Sequence, residues 1–110
     1  MAFKNRFIID EIRSVAFGGI TGAYAAVGSA LDDPARIFIL NNISNQDLLI
    51  SLDGVTDHLI LPAGAFKLID VAANKGRDDG LFVAAGTVFY VKHNGVAPTS
   101  GSVYLEVIHS

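Results

Sequence analysis

The sequence contains no cysteine and no tryptophan, and only three prolines in 110 residues. Without cysteine, the chain can form neither disulfides nor thiolate metal sites, and it has no cysteine nucleophile. The only glutamates are Glu11 and Glu106, and there are only four lysines, which argues against a helical protein because both residue types favour helices. Charged residues make up 17% of the chain, whereas about 25% is usual in soluble domains. The low charge leaves an unusually apolar chain to be explained.

The charge balance also excludes a class of partner. The formal net charge is −3, and the eight lysine and arginine residues are scattered along the chain. Binding to a nucleic acid backbone requires clustered basic residues that displace counterions. We therefore predict no nucleic acid partner.

Neither a targeting segment nor a membrane span is predicted. Lys4 and Arg6 precede an apolar stretch, as in a signal peptide, but Asp10 and Glu11 interrupt that stretch after three residues. The uncharged run 14–31 is long enough to span a membrane, yet its glycines, serines and alanines favour insertion only weakly. We predict no membrane partner.

Apolar residues make up 51% of the chain and are divided among short runs separated by Gly, Asn, Asp and Pro. Such runs, rich in Val, Ile and Phe, are typical of strands, and their regular spacing favours a sandwich or a barrel. The predicted fold class is all-β, with a single antiparallel β-sandwich over residues 12–110. The predicted strands are Ile12–Phe17, Ala23–Val27, Arg36–Leu40, Asp47–Leu52, His58–Leu61, Phe66–Val71, Leu81–Val83, Thr87–His93 and Ser102–Ile108.

Turn residues suggest how neighbouring strands connect. The polar run 41–46 contains three asparagines, which tolerate turn conformations, so Arg36–Leu40 and Asp47–Leu52 are predicted to form a hairpin. Asp53-Gly54 and Leu61–Gly64 predict further turns. The charged run 74–80 is interpreted as an exposed loop.

Two predicted strands are apolar on both faces, which is unusual for a sandwich exposed to water. Asp47–Leu52 alternates as a half-buried strand should, but Ile37–Leu40 and Val88–Val91 do not. Their second faces are covered either by the N-terminal segment or by another subunit. Residues 1–11 are in turn either the first strand at a sheet edge or an arm that reaches a neighbouring chain. The predicted subunit contacts are Phe3, Phe7, Ile8, Phe38, Phe89 and Tyr90.

No group of residues has the spacing of a chemical site. His58, His93 and His109 are isolated, and the neighbouring Asp57 and His58 point to opposite sides of a strand. The glycine-rich run 18–22 lacks the order of a phosphate-binding loop, and no serine lies in a nucleophile elbow. We predict no catalytic residue, no cofactor and no metal, and hence not an enzyme.

The succession of turns and strands resembles a known family over roughly residues 12–108. The segments that carry the resemblance are Arg36–Asn42, Ile50–Gly54, Leu61–Gly64, Asp70, Gly86–Lys92 and Thr99–Tyr104. Together they resemble small virion structural proteins of tailed bacteriophages. The resemblance implies a jelly-roll-like sandwich in a homo-oligomer that contacts other virion proteins such as the major capsid protein. It also implies location in the virion, after assembly in the host cytoplasm, as a capsid decoration (cement) protein or a neck or tail component.

An alternative from another class is a carbohydrate- or receptor-binding module. Such a module would use exposed loops, here 74–80 and 93–101. Sugar-binding surfaces favour exposed aromatic rings, and this chain offers only Tyr24, Tyr90 and Tyr104 besides its phenylalanines.

Overall fold

A computed structural model describes residues 8–70 and 83–109 of the chain. They contain nine β-strands, one 3-10 turn at Phe17–Gly19 and no α-helix. The strands are β1 (Ile8–Ile9), β2 (Arg13–Ala16), β3 (Ala25–Ala26), β4 (Ile37–Asn42), β5 (Leu48–Ser51), β6 (Leu59–Leu61), β7 (Phe66–Asp70), β8 (Tyr90–His93) and β9 (Ser102–His109).

The strands form two antiparallel sheets. In the first sheet β1 and β2 both pair with β9, which pairs with β4, which pairs with β7. The second sheet has the order β3-β8-β5-β6. From β2 onwards the chain changes sheet at every connection between strands except the β5–β6 hairpin, which is the path of a jelly roll. The predicted antiparallel β-sandwich is confirmed.

Most predicted strands lie within a few residues of the observed ones, but one predicted pairing is wrong. The strands predicted as a hairpin belong to different sheets: β4 pairs with β7 and β9, whereas β5 pairs with β6 and β8. Of the predicted strand Leu81–Val83 only Val83 is described, and it forms a single bridge with Ala35.

Asn42 shows why the run 43–46 crosses between sheets instead of closing a hairpin. Its side chain is fully buried and donates hydrogen bonds to the carbonyls of Gln46 and Leu61, at 2.9 and 2.8 Å. Its amide oxygen accepts hydrogen bonds from the backbone N–H and the hydroxyl of Ser44. The asparagine that suggested a local turn therefore ties the end of β4 to β6 across the sandwich.

Close backbone packing secures the same crossing. A Cβ on Gly101 would lie 2.2 Å from the carbonyl oxygen of Ile43, and Gly101 has a φ of 86°. Only glycine fits this position without displacing backbone.

The N-terminal residues that are described follow the edge-strand alternative. Ile8 and Ile9 pair with His109 and Ile108 at the edge of the first sheet. Phe3 and Phe7, and most of the predicted segment 1–11, lie outside the described residues.

The core lies between the sheets and is built from alternate residues of each central strand. The rings of Phe38 and Phe89 meet edge to face with centroids 5.0 Å apart. The buried apolar residues are Ile20, Val27, Leu31, Ala35, Phe38, Leu40, Leu48, Ile50, Leu61, Phe89, Val91, Val103, Leu105 and Val107. Because alternate residues point inwards, the residues between them form the two outer faces of the sandwich.

Candidate functional site

The outer side of the first sheet is the most unusual surface of the described chain, and we call it the open face. Residues directly opposite each other in an antiparallel pair share a face. Since Phe38 and Leu40 point into the core, Ile37, Ile39 and Asn41 point outwards. The register extends this face across the neighbouring strands and the adjoining loops. The open face carries Ile9, Ile12, Ile37, Ile39, Asn41, Ile43, Phe66, Leu68, Asp70, Tyr104, Glu106 and Ile108.

Strand β7 shows how strongly this face departs from an ordinary solvent surface. Phe66 lies opposite Asn41 and Leu68 opposite Ile39, so both side chains point outwards, where they are 65% and 55% exposed. Lys67, opposite the buried Leu40, is on the inner side. A half-buried strand normally turns its apolar residues to the core. Here the register exposes two large apolar side chains in a row.

The open face exposes several large apolar side chains together. Five of its large apolar residues are each more than half exposed: Ile9, Ile12, Ile43, Phe66 and Leu68. Patches of about 300–600 Å² are the largest that typical monomers carry, and they are often functional. A stable complex buries about 800 Å² on each partner. A group of exposed apolar residues on one face therefore makes the open face a candidate interface.

A shallow depression of about 340 Å³ lies in the open face, lined by Ile12, Asn41, Ile43, Tyr104 and Glu106. Glu106 stands near the middle of β9, is half-buried, and lies opposite Ile39 in the register with β4. Among the described residues, no hydrogen bond or ion pair reaches its carboxylate. A hollow with apolar residues and a single acid on its wall suits a ligand that combines an apolar part with a cationic group.

The outer side of the second sheet, which we call the covered face, differs because a loop lies over part of it and its charged groups are paired. The loop Leu52–His58 folds over it, so that a Cβ built at Gly54 would lie 3.4 Å from the Tyr90 ring. Asp53 holds the loop by accepting hydrogen bonds from the backbone N–H groups of Val55 and Thr56, both at 2.8 Å, and from the Ser51 hydroxyl. The two backbone hydrogen bonds, led by that from Thr56, hold the pKa of Asp53 far below its usual range.

A polar cluster completes the covered face. The Tyr24 hydroxyl donates a hydrogen bond to Asp57, and Lys92 lies 3.5 Å from the same carboxylate and over the Tyr24 ring. Burial, followed by the contact with Asp57, raises the pKa of Tyr24. The hydrogen bond from Tyr24 is the main cause of the lowered pKa of Asp57. The charged groups of this face are thus partnered within the chain.

A second depression, of about 360 Å³, lies where β1 and β2 break apart and is polar. Arg13 partly fills it and donates hydrogen bonds to the carbonyls of Ser29 and Ala30. Asp10 lies 3.6 Å from Arg13 and 2.9 Å from His109, so the cluster ties the strand break to the end of β9. We interpret it as a structural connection.

The structure corrects two of the predicted contact residues. Phe38 and Phe89 are only 3% and 1% exposed and form the core of the subunit, so neither can touch a partner in this fold. Tyr90 lies on the covered face beneath the loop and is half-buried. Ile8 is exposed at the sheet edge, while Phe3 and Phe7 lie outside the described residues.

The residues that form the open face were largely missed by sequence reasoning. Phe66 and Leu68 lie in a predicted strand but were not assigned to a contact, and neither were Ile12 and Ile43. Their signal is the alternation of Phe66 and Leu68 with Lys67. Taken by itself, this alternation predicts that Phe66 and Leu68 point into the core. Only the pairing of β7 with β4 shows that they point outwards.

The histidines do not come together. His58 accepts a hydrogen bond from the backbone N–H of Leu52 through Nδ1, His93 has a buried Nδ1 without a partner in the described chain, and His109 contacts Asp10. Within residues 8–70 and 83–109, no group of three or more histidine, aspartate or glutamate side chains could hold a metal ion. In the same ranges no helix has the length and hydropathy needed to cross a membrane.

The loops of the alternative binding-module prediction give a mixed picture. Loop 93–101 is described, and Thr99 within it exchanges hydrogen bonds with Asn45. Loop 74–80 lies outside the described residues. All three tyrosines are half-buried, and Lys92 covers the Tyr24 ring. None of the three offers the fully exposed ring that favours sugar stacking.

Comparisons with known proteins support the β-sandwich class of the fold. No protein family model matches the chain, and no curated protein matches it. Among solved structures, the chain is similar to a subunit described under "Bacillus endospore appendages form a novel family of disulfide-linked pili". The TM-score is 0.52 at 10% sequence identity, over 94% of this chain and 88% of that one. At this identity the likeness concerns the fold.

Proposed function

We propose that this protein is a non-enzymatic structural subunit whose function is to assemble with copies of itself. The observation that carries the proposal is the open face, where the register of β7 holds Phe66 and Leu68 in water. Burying apolar surface contributes about 25 cal/mol per Å². A face that exposes several large apolar side chains is therefore a substantial driving force for association.

Within this class, the particular assembly that we propose is the virion of a tailed bacteriophage. The support is the turn-and-strand resemblance of residues 12–108 to small virion structural proteins. The chain would decorate the capsid as a cement protein in contact with the major capsid protein, with a neck or tail position as the variant of the same proposal. Many copies on a lattice would convert weak contacts into stable binding.

The second candidate is a subunit of a surface filament, and the fold neighbour favours it. That neighbour is named as a disulfide-linked pilus protein. This chain has no cysteine, so a filament of these 110 residues would rest on non-covalent contacts. Self-assembly is common to both candidates.

Light scattering coupled to size-exclusion chromatography tests the shared proposal. The native chain, loaded over a wide concentration range, should elute as an assembly heavier than the 11.6 kDa subunit. A monomer at the highest concentration would contradict self-assembly.

Electron microscopy of the eluted assembly and co-sedimentation with purified phage capsids then separate the two candidates. Closed rings or clusters that bind capsids would support a decoration protein, whereas long fibres would support a filament. A glycan array serves the remaining alternative. Reproducible sugar binding by a monomer, lost when loop 93–101 is substituted, would favour a binding module.

A further inference from the structure

The open face combines an apolar hollow with an acid that the described chain leaves unpartnered. Glu106 has no hydrogen bond or ion pair there, although every charged group in the cluster on the covered face has one. A carboxylate held among apolar side chains gains most from a cationic partner that arrives with apolar groups of its own. The occupant of the hollow should therefore be both aromatic or aliphatic and basic.

One part of the same chain has this composition. Residues 1–7 contain two aromatic side chains, Phe3 and Phe7, and two basic ones, Lys4 and Arg6, with no acidic residue. Long basic side chains can reach a nearby carboxylate while their aliphatic stems lie on apolar surface. The other stretch outside the described residues, 71–82, is less suited, since its two basic residues are balanced by Asp78 and Asp79.

The direction of β1 indicates that residues 1–7 reach the hollow of another copy and not that of their own chain. At Ile8 the chain enters the sheet beside His109, three residues along β9 from Glu106, the nearest β9 residue of the hollow, a distance of about 10 Å. Phe3 lies five residues before Ile8, and a reversal of direction takes about four of them. The remainder is too short to bring Phe3 back to the hollow of its own subunit.

We propose that residues 1–7 of one copy dock on the open face of a neighbouring copy. The aromatic side chains fill the hollow beside Tyr104, and Lys4 or Arg6 pairs with Glu106. This inference rests on the proposed self-assembly and names the segment and the charge pair that make the contact.

Charge reversal in the full-length chain tests the docking. Two variants are made, Lys4→Glu with Arg6→Glu, and Glu106→Lys, each checked by circular dichroism for an unchanged fold. Each variant alone should self-associate at least about tenfold more weakly than the native chain, because it opposes like charges at the contact. Glu11→Lys, the same change at the other glutamate, is the matched control and should associate like the native chain.

An equimolar mixture of the two variants distinguishes docking between copies from docking within one copy. In the mixture the native segment meets the native hollow, and the acidic segment meets the hollow altered by Glu106→Lys, but only between different chains. We expect the mixture to recover native association. Both variants remain net negative, so no general attraction produces this result.

The possible failures are distinguishable. A mixture that stays dissociated, or a Glu106→Lys variant that associates like the native chain, overturns the docking while leaving self-assembly intact. A native chain that is monomeric at every concentration overturns the proposed function itself.

Discussion

The two outer faces of this sandwich differ in how far their apolar side chains are exposed and in whether their charged groups have partners. On the covered face a loop lies over Tyr90, and the charged groups Asp57 and Lys92 pair with each other. On the open face Phe66 and Leu68 stand in water, and Glu106 has no partner in the described chain. Both faces belong to sheets of similar size, so size does not explain the contrast. Under the proposed function, the chain pairs the polar groups of one face by itself, and a partner would cover the other face.

The largest expected effect is a loss of stability, and it should separate two neighbouring residues, one in the core and one on the covered face. Phe89→Ala should lower the free energy of unfolding by about 3–5 kcal/mol, because it opens a cavity beside Phe38 in the core. Tyr90→Ala, on the covered face, should cost less than about 2 kcal/mol and leave association unchanged. Urea unfolding and light scattering measure the two quantities. Loss of association in folded Tyr90→Ala would mean that the covered face also makes contacts.

A smaller loss is expected from the residue that directs the chain between the sheets. Asn42→Ala should lower the free energy of unfolding by about 2–3 kcal/mol, since the carbonyls of Gln46 and Leu61 lose a donor in a buried setting. Asn41→Ala, the neighbour on the open face, is the control and should change stability by less than about 0.5 kcal/mol. If urea unfolding showed equal losses of stability for the two variants, the buried hydrogen bonds of Asn42 would not be the reason for its effect.

The smallest effect concerns the loop over the covered face and depends on pH. The pKa of Asp53 is lower in the folded chain than in the unfolded one, so its stabilising contribution is present at neutral pH. It should decline as the pH falls below about 4. Asp53→Asn should make unfolding less sensitive to pH in that acidic range, as followed by urea titrations at several pH values. An unchanged pH profile would show that the loop hydrogen bonds do not favour the carboxylate.

Asp32→Asn is the control for this experiment. Asp32 is an exposed aspartate between β3 and β4, away from the loop. Its substitution leaves the hydrogen bonds of the loop in place, so it separates the effect of those bonds from that of removing one surface carboxylate.

Local sequence patterns predicted the strands well and their partners poorly. The positions of β5, β7 and β9 follow from apolar runs between turn residues, which act over a few residues. The wrong hairpin came from reading Asn41–Gln46 as a local turn. The side chain of Asn42 instead bonds to Leu61, 19 residues away. Nothing within the run itself distinguishes the two uses of an asparagine.

The contact residues were hard to predict for a related reason. In Ile37–Leu40 every residue is apolar, so hydrophobicity alone does not tell which alternate pair faces the core. The sequence indicated strands that are apolar on both faces, but it did not show that Phe38 is an inner residue. Only the register of β4 with β7 and β9 shows which of its residues face the core and which face outwards.

The central claim, that the open face is the one that assembles, is tested most directly by one matched pair of substitutions. Leu68 on the open face is 55% exposed and Ile60 on the covered face is 46% exposed, and both lie on edge strands. Leu68→Lys and Ile60→Lys thus place the same charge at comparable positions. Sedimentation equilibrium of the two full-length variants should show association weakened at least about tenfold by Leu68→Lys and unchanged by Ile60→Lys. Equal association of both variants, or a loss confined to Ile60→Lys, would contradict the account.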